Sequence, residues 1–266
     1  MHNIFIRLIA ALLFTAVLVL GVWTFAYTGG WEIDTEHGWW LPEVVTDYGE
    51  KVDDLFILIM WLLALFFVAT EGVLIYCVLF FSGSRKKKST FTHGNHKLEI
   101  AWTFVPAVLL LAIALYQMSD WAHIKFDSGR PKVAPIARVW AAQFDWHMQY
   151  PGEDGIFDTQ DDIDSPYEFV VPVGTDIVFD LRSRDVIHSF FVPEFRLKQD
   201  AMPGMVIPVW FNATKIGEYD LICAELCGWG HYKMAGRVKV VSQEDFEAFL
   251  KEANAKHFDN GSEDRS

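Results

Sequence analysis

The chain is 266 residues long, 52% hydrophobic and 15% aromatic, with a mean hydropathy of +0.19, yet its formal charge is −13. A soluble domain of this size rarely combines such hydrophobicity with so acidic a balance, so the two properties belong to different segments. Residues 1–118 hold 7 basic and 10 acidic side chains, while 119–266 hold 15 and 25, a net −10 that excludes nucleic acid, whose phosphates demand a basic face.

Three segments are apolar enough to span a bilayer core, which takes about 20 residues. The first, 8–27, follows Arg7 and fits either an N-terminal membrane helix or a signal peptide. Its length exceeds a signal core of about 7 to 15 residues, and no small-x-small cleavage site follows Ala26, which favours the uncleaved helix. Either way residues 28–54 are external. The second span, 55–81, is interrupted only by Glu71, which costs about 2.5 to 3.5 kcal/mol at mid-bilayer on insertion scales and so should face protein or water. The third, 100–119, is uncharged and contains Pro106. Between the last two spans lie Arg85, Lys86, Lys87 and Lys88, and positive loops stay cytoplasmic. The pair therefore reads as a hairpin with its tip inside and the acidic remainder outside.

After residue 119 the pattern changes to short alternating β-branched stretches at 136–150, 167–173, 176–181, 206–211, 218–223 and 236–241, separated by turn residues. That spacing predicts an all-β sandwich or barrel. The segment 152–164 holds six carboxylates in thirteen residues, a composition that could bind calcium. Its spacing does not match an EF-hand loop, which favours a solvated acidic hairpin. A helix is expected over 243–253 with Ser242 as N-cap and Asp245 three residues on, followed by a polar, disordered tail at 255–266.

The chemistry concentrates in Cys223-Ala224-Glu225-Leu226-Cys227-Gly228-Trp229-Gly230-His231-Tyr232-Lys233-Met234 and in His188 upstream. Taken singly, His188 fits a hydrogen-bonded core histidine, Met234 a core filler and the two cysteines a disulfide. Taken together, two thiols, two imidazoles and a thioether point to a soft metal. Copper used for electron transfer suits that set, whereas structural zinc prefers four strong ligands and has little use for Met. One copper needs a single Cys; the second Cys allows two thiolates to bridge two coppers that share one added electron.

These motifs resemble subunit II of the haem-copper cytochrome c oxidases. The resemblance runs from about residue 45 through the hairpin, the His188 strand, Leu197-Lys198-Gln199-Asp200-Ala201-Met202-Pro203-Gly204 and the Cys-x3-Cys-x3-His-x2-Met loop. It implies membrane helices followed by a cupredoxin-like Greek-key β-sandwich bearing the dinuclear copper A centre. In domain terms the chain reads as an N-terminal apolar helix at 1–28, transmembrane or a signal peptide, an external linker at 29–54, the hairpin at 55–119, the copper domain at 120–254 and the tail at 255–266. His188, Cys223, Cys227, His231 and Met234 would hold two coppers by side chains, and Glu225 by its backbone carbonyl. The Glu225 carboxylate would hold magnesium at the subunit I interface, and Glu99 would mark the mouth of a proton channel. The implied partners are subunit I and other oxidase subunits, cytochrome c or a related donor, and a bacterial inner membrane with the copper domain on the periplasmic side.

One departure concerns the electron donor. The family usually shows Gln-Trp-Tyr-Trp where this chain has Gln143-Phe144-Asp145-Trp146, so the usual electron-accepting Trp is Phe144, which lacks an indole N–H. The candidates for that role are Phe144 itself and two aromatics expected at the surface, Trp146 and Trp229. A thioredoxin-fold copper chaperone also uses Cys-x3-Cys, but its His follows the cysteines. A quinol oxidase subunit II lacks the copper cysteines altogether.

Overall fold

The structure is a computed structural model that describes residues 9, 12–21, 23–24, 41–81 and 91–263, with side chains as far as residue 255. The basic run at 85–88, the first part of the linker (29–40) and the end of the tail lie outside the described residues. The chain divides into two compact units, one of residues 1–40 and 53–120, the other of 41–52 and 121–266.

The first unit is helical: α1 (Leu12–Gly21), α2 (Gly49–Phe80) and α3 (His96–Lys125). Both α2 and α3 are long and apolar enough to cross a membrane. Leucines, phenylalanines and valines are exposed all round them, the pattern of helices whose surroundings are apolar on every side. Glu71 lies on the wall of a cavity of about 580 Å³ lined by Phe14 and Leu18 of α1 and by Met60, Trp61 and Phe67 of α2. At the start of α3 the Asn95 side chain accepts from the backbone N–H groups of Lys97 (3.1 Å) and Leu98 (3.3 Å), which satisfies two of the helix's orphan donors. Glu99 follows in the first turn, 2.9 Å from His96 Nδ1.

The second unit is a sandwich of two five-stranded sheets, in the orders β3-β2-β1-β5-β8 and β4-β10-β9-β6-β7. The strands are β1 (Ala137–Ala142), β2 (Asp145–Tyr150), β3 (Ile163–Pro166), β4 (Glu168–Pro172), β5 (Asp176–Ser183), β6 (His188–Val192), β7 (Leu197–Ala201), β8 (Ile207–Asn212), β9 (Gly217–Cys223) and β10 (Ala235–Val241). The pairs β1·β5 and β4·β10 are parallel and the rest antiparallel. Phe169, Phe179 and Phe190 meet between the sheets with ring centroids 5.1 Å apart in each successive pair. All three are fully buried, and each contributes about 1.5 to 3 kcal/mol of transfer energy.

The stretch 136–150, expected as one strand, folds back as the β1/β2 hairpin, with Ala142 opposite Asp145. The reason is a change of phase: the buried set is odd-numbered in β1 (Ala137, Val139, Ala141) and even-numbered in β2 (Trp146, Met148, Tyr150). A single strand would keep one parity. The short, polar strands β3 and β7 were not expected from the pattern; each lies at a sheet edge, where few side chains need be apolar.

Residues 41–48 are more than a linker, because they form a strap on the sandwich. Val45, Thr46 and Tyr48 are buried. Val45 N–H donates to Glu194 O (3.0 Å), Thr214 N–H donates to Val45 O (2.9 Å), and the Tyr48 ring packs edge-on against Trp210 at 5.5 Å. The final helix, α4 (Gln243–Glu263), starts on Ser242, whose hydroxyl accepts from Asp245 N–H at 3.1 Å, and it runs beyond the expected end at 253. Its Phe249 packs against Tyr150 at 5.5 Å.

Tyr150 also ties the two sheets together. Its buried hydroxyl donates to Val170 O (2.8 Å) and accepts from Val170 N–H (2.7 Å). Tyr150→Phe leaves both backbone groups unpaired, so a loss of about 1 to 3 kcal/mol is expected in the thermal unfolding of the outer domain, read by near-ultraviolet circular dichroism. An unchanged transition would show that water replaces the hydroxyl.

Candidate metal centre

Strand β6 begins at His188 and β9 ends at Cys223, and their antiparallel pairing sets Phe190 opposite Cys223. Ala224 N–H donates to Ser189 O (3.0 Å), which holds the start of the following loop against the start of β6. The loop returns to β9 where Cys223 N–H donates to Met234 O (3.1 Å), and between these points it is tightened by His231 N–H to Gly228 O (3.2 Å) and Lys233 N–H to Gly230 O (3.1 Å). Donors 35 residues apart in sequence, His188 and Cys223, thereby become neighbours.

Cys223 Sγ lies 3.9 Å from His188 Nδ1 and 3.9 Å from Cys227 Sγ. Cys227 Sγ lies 3.7 Å from His231 Nδ1 and 3.8 Å from Met234 Sδ. The Glu225 carbonyl turns inward to within 3.2 Å of Cys223 Sγ, while the Glu225 side chain is exposed. The sulfurs are far beyond the roughly 2.05 Å of a disulfide, and both cysteines are free. His188, Cys223, Cys227 and Met234 are buried and His231 is half-buried.

Two further residues hold this arrangement. His188 Nε2 donates to Asp185 Oδ1 at 2.8 Å, which leaves Nδ1 facing the thiols, and Asp185 Oδ2 accepts from Gln143 N–H at 2.7 Å. The Gln143 side-chain amide donates to the Cys227 carbonyl. Burial pushes the Asp185 carboxyl up, but the hydrogen bonds from His188, Gln143 N–H and Val186 N–H outweigh it and hold the group below its usual range. Burial, and then the neighbouring Cys223, push the Cys227 thiol up to about 11. A metal at the Cys227 sulfur must therefore displace a proton that the metal-free pocket retains.

Residues 137–241 match the family described as cytochrome c oxidase subunit II, periplasmic domain, and residues 35–119 match its transmembrane domain. The alternative cytochrome c oxidase subunit 2 of Bradyrhizobium diazoefficiens is 30% identical over 241 residues, covering 80% of this chain and 84% of that one. Cytochrome c oxidase subunit 2 of Cereibacter sphaeroides is 35% identical over 213 residues, covering 68% and 69%. The chain belongs to the cytochrome c oxidase subunit II family. A crystal structure of the periplasmic domain of subunit II of cytochrome oxidase from Bradyrhizobium japonicum is 29% identical and covers 48% of this chain and 98% of that one, with a TM-score of 0.42. Membership makes this chain a subunit of an oxidase complex, with membrane-spanning helices and a periplasmic-type β-sandwich.

The subunit II donor set fits copper. Two thiols, two imidazoles and a thioether converge with one inward carbonyl, a softer and larger set than a single tetrahedral zinc uses. All five side chains expected as ligands are brought together. The three aromatics are not equivalent, however. Trp146, expected at the surface, is 0% exposed, because β2 alternation turns it into the core against Phe190 and His188. Trp229 is 77% exposed, and Phe144 is half-buried beneath it. Asp185 and Gln143 escaped sequence reasoning, although an Asp three residues before His188 was a usable signal.

Removing the outer partner of His188 frees its ring, and such losses cost about 10- to 100-fold in metal affinity. Asp185→Ala is expected to weaken copper retention by that amount in competition with a chelator, and to lower the unfolding temperature of the sandwich because buried His188 and the Gln143 N–H lose their acceptor. Unaltered retention would show that packing alone orients His188.

Proposed function

We propose that this chain is the electron-accepting subunit of a terminal respiratory oxidase. In this reading it takes electrons from cytochrome c at a dinuclear copper centre. It passes them to the haem groups of subunit I, where oxygen is reduced to water with coupled proton pumping. The observation that carries the reading is the convergence of two thiols, two imidazoles, a thioether and a carbonyl around one pocket. His188, Cys223, Cys227, His231 and Met234 would hold two coppers by side chains and Glu225 by its carbonyl. Bound copper would supply a one-electron redox couple.

The chain's own residues supply the rest. Buried His188, Cys223, Cys227 and Met234 exclude water, and the His188–Asp185 pair fixes the imidazole before metal arrives, so little need move when charge changes. The exposed Glu225 carboxylate, two residues from each cysteine, offers the hard oxygen that magnesium prefers at an interface with subunit I. Glu99, in the first turn of α3 beside His96, is suited to deliver protons to a channel in subunit I, because a carboxylate is stable next to a helix N-terminus. The domain would lie on the periplasmic side of a bacterial inner membrane.

Electron paramagnetic resonance and absorption spectra of the copper-loaded protein test the reading. A signal shared by two copper nuclei is expected, and a mononuclear blue signal, or none, would defeat it. Cys227→Ser is expected to leave at most a mononuclear site, so persistence of the two-copper spectrum would remove Cys227 from the bridge. Turnover with a basic cytochrome c should fall as ionic strength rises past about 0.1 M, where the Debye length shrinks to about 10 Å and steering toward the acidic domain is screened. A flat response would assign a different donor.

A further inference from the structure

The loop that carries the metal donors also carries a tryptophan that packing alone does not explain. Trp229 lies between Gly228 and Gly230, two residues from both Cys227 and His231, and remains 77% exposed. Its ring meets Phe144 edge-on with centroids 5.2 Å apart, and the Lys233 ammonium sits 4.8 Å over the indole. The two glycines are what allow this. A Cβ on Gly230 would lie 2.5 Å from Phe144 Cδ2, and one on Gly228, whose φ is +145, would lie 3.0 Å from Phe144 Cζ. Phe144 is thus pressed against the backbone on both sides of Trp229, in van der Waals contact with the residues that adjoin two metal donors.

We propose that Trp229, seated on Phe144, is the contact at which a soluble haem protein docks and from which its electron enters the metal centre. The inference rests on the electron-accepting reading above and deepens it. The occupant is a c-type cytochrome presenting an apolar haem edge rimmed by basic side chains. Trp229 supplies a large, rigid apolar face of the kind that dominates protein interfaces. Carboxylates flank its support: Asp145 follows Phe144 in the chain, and Asp185 accepts from the backbone N–H of Gln143. The net negative charge of residues 119–266 attracts a basic partner to the domain as a whole, while the Lys233 ammonium makes the centre of the contact itself unsuited to a basic side chain. In the transfer, one electron leaves the ferrous haem, which becomes ferric, and would be taken up by the copper held at the donor set, cupric becoming cuprous; no bond or proton moves. Phe144 spans the gap between the exposed indole and the donor loop, a role open to any aromatic ring and one that does not need the indole N–H missing at this position.

The test uses the purified oxidase complex. Trp229→Ala is expected to raise the Kd for oxidised cytochrome c about thirtyfold, as truncation of a central aromatic anchor does, and to lower kcat/KM in step. The copper absorption spectrum and turnover with a small diffusible reductant should not change, and Trp229→Phe should restore most of the affinity. Ile216→Ala, an exposed apolar truncation at the opposite end of β9, should have no effect. Unchanged cytochrome c affinity in Trp229→Ala, with normal turnover of the unaltered complex, overturns this contact and leaves the oxidase reading intact. If the unaltered complex neither binds nor oxidises a soluble cytochrome c, both readings fall.

Discussion

The pairing of β6 with β9 is the constraint on which the metal centre depends. It opposes Phe190 to Cys223 and Phe191 to Ile222, and it is extended by Ala224 N–H donating to Ser189 O. Side chains alternate along a strand, so a slip of one residue would send Cys223 to solvent and bring exposed Ile222 inside. The aromatic layer of Phe169, Phe179 and Phe190 makes that slip costly, since it would expose rings that are completely buried. The register of a hydrophobic core thus sets the distance between an imidazole and a thiol.

A second constraint is the cost of polar groups in that core. His188 is fully buried and cannot stand unpaired there. Asp185 resolves this with one oxygen and uses the other to hold the Gln143 N–H. The Gln143 side chain in turn donates to the Cys227 carbonyl. A single chain of hydrogen bonds therefore links β6, the β1/β2 turn and the donor loop. The turn that positions Phe144 under Trp229 is the same turn that braces the metal donors.

The two units meet opposite solvent demands. Around α2 and α3 the apolar side chains face outward, because helices satisfy their own backbone groups and lipid or partner helices cover the rest. In the sandwich the apolar side chains face inward, and the surface keeps the acidic excess. The strap at 41–48 belongs to the second regime: Val45 and Tyr48 are apolar and buried, yet the stretch reads as a linker because no periodicity of its own announces a strand.

What could be read in advance was whatever a local rule imposes. Apolar runs of about 20 residues read as membrane spans from length and composition alone, the Ser242 cap needs only its own helix, and Cys223, Cys227, His231 and Met234 declare themselves because metal chemistry demands rare residues at fixed intervals. The hairpin break at Gln143-Phe144, the edge strands β3 and β7, the strap and the burial of Trp146 were settled by long-range packing. A tryptophan in a strand can face either side, and only the opposing sheet, by presenting Phe190 and His188, turned Trp146 inward and left Trp229 as the aromatic that solvent can reach. By itself the sequence determined which chemistry the chain holds and that part of it lies in a membrane. The tertiary structure decided which side chains stand behind that chemistry and which stand in front, because that choice depends on contacts between residues far apart in the chain.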